Sequence, residues 1–309
     1  MRLALAPLSA CRVVEAQLAL AQQRGSPRAH NPFVRHRTYA QPSPARERTA
    51  TRPESFAPRQ NHLLAALPAA ELEPLLQHMT LTGLALGAVL YEPGSKMDDV
   101  YFPISGVVSL IYTLEDGHTT ELAIVGNDGC VGLALLLGGQ TTPSQAIVQI
   151  AGYAYRIRSS VVVAEFHNGG GATRVLLRYV QALMTQIVLT AVCNRHHTVE
   201  QQLCRWLLLS LDRLSSNRVR MTQELIANML GVRRTGITEA ARELQAAGVI
   251  EYRRGVITVP DRAKLAAHAC ECYAVVKNET DRLLASPPDS ISRAAATSAG
   301  AAMYGPEQN

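Results

Sequence analysis

MTQELIANMLGVRRTGITEAARELQAAGVIEYRRG, Met221 to Gly255, breaks an amphipathic helical pattern at Gly231 and restarts it behind a pair of arginines. Thr222 is placed to cap a first helix whose apolar face is Leu225, Ile226, Met229 and Leu230. Glycine supplies the positive φ that a sharp turn demands. A second helix then turns Ile237, Ala240, Ala241 and Leu244 inward, and Gly248 ends it. With Gln223 as position 1, alanine falls at 5, glycine at 9, valine at 10 and isoleucine at 15, the spacing of a helix-turn-helix. Its outward face carries Arg233, Arg234, Thr235, Thr238, Glu239 and Arg242, side chains that reach base edges and phosphates. Thr222 and Gln223 join them at the start of the first helix. Arg253, Arg254 and Gly255 tip a hairpin of the wing type.

Upstream, residues 61–170 open on short helices and then change to short strands. "VYFPISGVVSLIYTLEDGHTTELAIVG" gives strands around an Asp116-Gly117 hairpin, with Val108, Leu110, Tyr112 and Leu114 on one face. "SQAIVQI" and "YAYRIR" give two more strands around Gly152. Strands at this spacing predict a small barrel or double-sheet roll. From Ala172 the period becomes helical. Leu176, Val180, Met184, Ile187 and Ala191 form one apolar stripe on a helix of about 24 residues, which could cover a core and, placed between two domains, also suits a homodimer seam. A second helix, Val199 to Leu214, is apolar on most sides and expected to be buried. The predicted organisation is a basic arm at 1–60, a sensor roll at 61–170, dimerisation and linker helices at 171–215 and a winged helix-turn-helix at 216–262. One C-terminal helix at 263–284 and a disordered tail at 285–309 complete it.

The net charge of +5 is unevenly spread. Residues 1–60 hold ten arginines against three glutamates, so the rest of the chain is close to neutral. The arm reads as disordered, either a non-structural extension or a DNA-steering segment. Residues 217–262 hold eight arginines against five acids, a local excess where DNA would lie. "MRLALAPLSAC" mimics an export signal, but its apolar run is short and interrupted by Pro7, so export is not expected. The most apolar stretch, Ala182 to Cys193, is short for a bilayer span, and a cytoplasmic protein without membrane association is expected.

The chain resembles the Crp/Fnr family of regulators: a β-roll of the cyclic-nucleotide-binding type, a long dimerisation helix and a C-terminal winged helix-turn-helix. The resemblance covers about residues 61–275 and is carried by "DVYFPISGVVSL", "VGNDGCVGLALLLG", "VEQQLCRWLLL" and the helix-turn-helix itself. It implies an α+β fold, promoter DNA as double-stranded partner, a homodimer, and RNA polymerase as a further partner. Better-known members read DNA with an Arg-Glu pair and a second Arg one turn on. Arg234 matches the first, Thr235 stands in place of the Glu, and Glu239 in place of the second Arg, so a different target sequence is implied.

The same resemblance locates an effector pocket at Gly132, Leu133, Ser144, Gln145 and Ala146. Leu133 stands where an acid would read the ribose, and Ser144 and Gln145 where an arginine would hold the phosphate. Residues 129–155 contain no charged side chain, so cyclic AMP is an unfavourable ligand. Backbone amides near Gly138-Gly139 leave a weak anion nest.

Cys11 alone does not make the clustered set of an iron–sulfur sensor. "HACEC" (His268, Cys270, Cys272) and "CNRHH" (Cys193, His196, His197) are thiol-rich. On one continuous helix, however, Cys270 and Cys272 point apart, and His196-His197 read as a cationic helix end. No cofactor or metal is expected, and the thiols should be reduced. No nucleophile elbow, HExxH or phosphate loop occurs, so no enzyme is expected. The alternatives to a DNA-binding regulator are an effector-binding signalling module and a dimeric adaptor.

Overall fold

The computed structural model describes residues 56–167 and 169–284. The expectations for residues 1–55 and 285–309 lie outside the described residues. Ordered chain at Phe56–Gln60 lies within the stretch expected to be arm, where the Tyr155 hydroxyl donates to the Phe56 carbonyl.

Two short helices, α1 (His62–Ala65) and α2 (Ala69–Leu76), lead into the sheet. Asn61 is fully buried and uses its whole amide. Its oxygen caps α1 at Leu64 N, and its nitrogen donates to the Pro103 and Gly129 carbonyls at 2.8 Å each.

The sheet is antiparallel, ordered β1 (Thr80–Leu84), β5 (Gln145–Arg158), β3 (Asp99–Thr113), β4 (Thr119–Val125), with β2 (Val89–Tyr91) also pairing with β5. The stretch expected to be two strands around Gly152 is instead one, because β5 pairs with β3 along almost its whole length. The register shifts near Pro103, Ser105 and Val107 bend both strands there. Glycine is required at this crossing: a Cβ on Gly106 would lie 2.5 Å from the Ile150 carbonyl oxygen, and one on Gly152 2.4 Å from that of Ser105. The result is a roll whose core includes Leu64, Leu72, Val100, Phe102, Ile157 and Tyr179.

A four-residue helix α3 (Leu133–Leu136) precedes β5, and α4 (Ser159–His167) follows it. The long helix α5 (Gly171–His196) starts under the carboxylate of Glu71, which accepts from the Gly171 and Ala172 amides. It ends at His197, which is extended (φ −109°, ψ 154°). Thr198 and Gln201 form a capping box that starts α6 (Val199–Leu211), buried from Gln202 to Leu211 as expected. After β6 (Arg218–Arg220) come α7 (Gln223–Leu230), α8 (Arg234–Ala246), β7 (Glu251–Arg253) and β8 (Val256–Thr258), the last two joined to β6 in a small sheet. Their core is Trp206, Leu207, Ile226, Ile237 and Leu244 with neighbours.

The single C-terminal helix expected after Pro260 is two, α9 (Arg262–His268) and α10 (Glu271–Leu284). The chain leaves the helical region at Ala269 (ψ 156°) without proline or glycine to mark the break.

Candidate DNA interface and interdomain contacts

The first helix of the pair is capped as expected, with Thr222 Oγ1 accepting from Leu225 N. Gly231 closes it with φ 65°, and Val232 N donates back to the Ala227 carbonyl at 3.0 Å. Ile237 is fully buried under the turn. This leaves Arg233, Arg234, Thr235, Thr238, Glu239 and Arg242 exposed along α8, with Arg253 and Arg254 exposed on the β7–β8 tip. Arg254 holds a positive φ of 51°.

None of these five α8 and wing arginines forms an ion pair with a described residue. The N-terminus of α8 has no side-chain cap and no acid in its first turn, so its field stays available to an anion. Thr238 donates to Gln223 Oε1 (2.7 Å) and shares that proton with the Arg234 carbonyl (3.0 Å). Its hydroxyl is thereby committed inside the protein, and it holds the half-buried Gln223 through Oε1. The wing is held against α8 by Tyr252, whose amide donates to Gln245 Oε1 and whose hydroxyl donates to the Met221 carbonyl, both at 2.9 Å.

The seam residues are divided by the fold. Leu176 is not on an open face: it is 5% exposed and belongs to the core of the roll. Met184 is 60% exposed and Ile187 and Ala191 are also open, while Val180 is half-buried. The open apolar stripe continues through Leu177, Val188 and Val192, so its phase is one residue later than the hydrophobic pattern implies. By length and composition α5 could cross a membrane, with a mean hydropathy of 1.5 over its most apolar 18 residues. Its opposite face nonetheless makes polar ties to the body: Tyr179 OH donates to the Cys130 carbonyl, and Gln186 Nε2 to the Ile124 carbonyl.

Around the expected effector pocket, Gly132 adopts φ 103° before α3, Ser144 and Ala146 are buried, and Leu133 and Gln145 are half-buried. Thr142 and Ser144 hydroxyls pair at 3.0 Å. Gln145 Nε2 donates to the Glu92 carboxylate at 2.7 Å. A carboxylate thus lies beside the position where a phosphate partner would be needed. Arg156 and Arg158 both face Asp99 instead.

Two polar networks that sequence reasoning missed tie the halves together. Arg213, after α6, grips Asp128 through Nε (2.9 Å) and Nη2 (2.5 Å), and also donates to the Leu209 carbonyl and Gln186 Oε1. Its side chain is 4% exposed. A cleft of about 410 Å³ opens beside this pair, lined also by His62, Lys277 and Asp281.

The second network centres on Glu121, buried between β4 and α6. Trp206 Nε1 donates to its Oε1 at 3.1 Å. Ser109 Oγ lies 2.6 Å from Glu121 Oε2 and 2.7 Å from Gln149 Oε1. At two distances this short, one hydroxyl proton cannot make a full hydrogen bond to both acceptors. A protonated Glu121 resolves this by donating to Ser109, which donates to Gln149, and a turned Gln149 amide donating to Ser109 resolves it with Glu121 ionised. Burial favours the first, pushing the Glu121 carboxyl up to about 7. On the same outer face Thr119 Oγ1 donates to the Asn228 carbonyl at 3.4 Å, and Met229 packs on Ile111 and Ile147.

The thiol motifs also meet. Cys270 precedes α10 and does not share a helix with Cys272, so the opposed directions expected of them do not arise. Cys193, His197, Cys270 and Cys272 come together at the α5–α6 corner, while His268 bonds Glu200 and His196 is exposed.

The cyclic nucleotide-binding domain profile matches residues 83–167, and that of the Crp-like helix-turn-helix domain matches residues 201–268. A transcriptional regulator of the Crp/Fnr family from Eubacterium rectale is similar in fold at 15% identity (TM-score 0.54), covering 68% of this chain and 98% of its own. FixK2 from Bradyrhizobium japonicum is similar at 16% identity (TM-score 0.53; 62% and 98% covered). The c-di-GMP-responsive global regulator CLP from Xanthomonas campestris is similar at 18% identity (TM-score 0.52; 62% and 99% covered). No curated protein sequence matches the chain significantly.

Proposed function

We propose that the chain, whose two matched domain profiles and fold are those of Crp/Fnr transcriptional regulators, is a DNA-binding regulator and not an enzyme, and that it acts as a homodimer, placing α8 of each copy in successive major grooves of promoter DNA. The observation that carries this reading is the exposed arginine set on α8 and the wing, which pairs with no described acid, in a chain whose α5 also carries an open apolar face. Arg234, on the first turn of α8, is the principal base reader. Its planar guanidinium suits guanine bidentately. Arg233, Arg242, Arg253 and Arg254 serve as phosphate anchors, helped by Thr222 and Gln223 at the start of α7. Thr235 and Glu239 add readout, Glu239 by accepting from cytosine.

Pairing of the open α5 stripe with its symmetry copy supports the dimer. Leu177, Met184 and Ala191 recur at seven-residue spacing, as do Val180 and Ile187, the pattern of a two-stranded seam. Two copies in the cytoplasm, rather than lipid, cover this face, and RNA polymerase is met at the promoter. The pocket at Gly132–Ala146 is degenerate towards cyclic AMP. Among the described residues, Gln145 at the phosphate position bonds the Glu92 carboxylate, and the nearby Arg156 and Arg158 face Asp99. Genome-wide mapping of bound DNA, followed by titration of the purified chain on the recovered sequence at several salt concentrations, tests the reading. Binding that is absent, or that is equal on recovered and random DNA, would leave an adaptor or signalling role instead.

A further inference from the structure

We propose that Cys193, His197, Cys270 and Cys272 form a site for one thiophilic divalent cation, zinc, at the corner where α5 passes into α6. The four ligand atoms all lie within 4.8 Å of one another. Cys193 Sγ is 3.5 Å from Cys270 Sγ, and Cys272 Sγ is 3.6 Å from His197 Nδ1. For tetrahedral zinc, with bonds of about 2.3 Å to sulfur and about 2.0 Å to nitrogen, the ligand–ligand edges come to about 3.5–3.8 Å. These two edges therefore have the length a single ion requires. The spacing is too tight to enclose a multi-iron cluster, and three thiolates with one imidazole exclude hard cations such as magnesium and calcium.

Local structure explains the convergence. Cys193 lies in the last turn of α5, and the extended backbone at His197, whose amide still bonds the Cys193 carbonyl at 3.0 Å, turns the imidazole back toward it. The break between α9 and α10 brings Cys270 and Cys272 in from another part of the chain.

Two further observations point to an ion. The His197 Nε2 side faces the Glu271 carboxylate at 3.3 Å. That partner fixes the proton on Nε2 and leaves the Nδ1 lone pair directed at the thiols, the outer-shell arrangement of zinc-bound histidine. The Arg205 guanidinium is buried, its Nε has no hydrogen-bond partner, and it lies within electrostatic reach of Cys193 and Cys272. A divalent ion with three thiolates carries a net charge of −1, an anionic neighbour for this buried cation in addition to the Glu121 carboxyl, which is also within its electrostatic reach. Binding releases the thiol protons to solvent and changes no oxidation state. The ion would staple the start of α10 to the end of α5 across the His197–Thr198 hinge.

The test uses the full-length chain, purified under reductant. Metal content and titration with zinc and cobalt(II) should give one ion per chain, with the visible bands of tetrahedral cobalt thiolate. Added zinc should raise the thermal midpoint of the metal-free protein. Cys272→Ser should lose the cobalt bands, whereas Cys204→Ser, at a buried cysteine outside the set, should keep them. Glu271→Gln should retain the bands and weaken affinity about 10–100-fold. Because the titration is also run on the unaltered chain, a variant that fails to fold does not blunt the test. Reduced unaltered protein that takes up no zinc, a Cys193–Cys270 disulfide in place of metal, or cobalt bands that survive Cys272→Ser would each overturn the proposal. DNA binding measured on the same metal-free samples separates this site from the DNA-binding reading.

Discussion

Replacing Met184 with aspartate should dissolve the proposed dimer and leave each chain folded. Met184 is 60% exposed in the single chain, at the middle of the open α5 stripe. Full burial of such a side chain is worth about 1.5–3 kcal/mol, so covering its exposed part yields about 1–2 kcal/mol per copy. The two-fold axis doubles this to about 2–4 kcal/mol, and aspartates brought face to face without cations add several more through desolvation and repulsion. Weakening of at least about 1,000-fold, equivalent to about 4 kcal/mol, is expected. Sedimentation velocity at micromolar protein should show monomers, with a circular dichroism melt close to that of the unaltered chain. Leu176→Asp, inside the roll core, should instead unfold the protein. A dimer persisting in Met184→Asp would refute the reasoning, because the stripe would then be uncovered in solution and the seam elsewhere.

Glu121 predicts an unusual pH dependence. Its folded pKa, about 7, lies above the ordinary 4.5, so the stability it contributes is full below pH 4.5 and is lost as pH rises through 7. The loss is about 3 kcal/mol, and Glu121→Gln, which mimics the protonated form, should flatten urea-midpoint profiles over that window; an unaltered slope would rule out Glu121 as its source. Arg213→Met should cost about 3–5 kcal/mol by stranding Asp128, and Arg213→Met with Asp128→Leu should recover much of it in denaturant titrations; no recovery would mean that the ion pair is not the tie. Isothermal calorimetry should detect no micromolar binding of cyclic AMP, and tight binding would show that a cation from elsewhere enters the pocket.

Much of the DNA-binding end is legible in the sequence because its rules are local. Gly231, the small Ala227 and the buried Ile237 are fixed by one turn, and their spacing announces it. The interdomain ties are not legible. Arg213 meets Asp128, and Trp206 meets Glu121, each across 85 residues, and no periodicity marks partners that far apart. The thiol cluster is hidden for a different reason. Both fragments are visible, but the helical pattern runs on through Ala269 and Cys270, where the chain breaks without the usual punctuation. Periodicity misplaces the α5 stripe at Leu176 because the helix is apolar on both its buried and its open faces, so hydrophobicity alone does not separate them. The carboxylate beside Gln145 is likewise hidden, since Glu92 reaches it from another part of the roll.

Base reading by Arg234 is tested most directly by comparing Arg234→Ala and Arg253→Ala on the mapped operator and on random DNA, each over a range of salt. Arg234→Ala should lose about 1–3 kcal/mol on the operator, relax preference at one base pair per half-site and change random binding little. Arg253→Ala should weaken both DNAs alike and reduce the salt slope by roughly one unit for each phosphate no longer neutralised. If Arg234→Ala weakens operator and random DNA by the same factor, Arg234 is a phosphate anchor, and α8 does not read the groove as proposed.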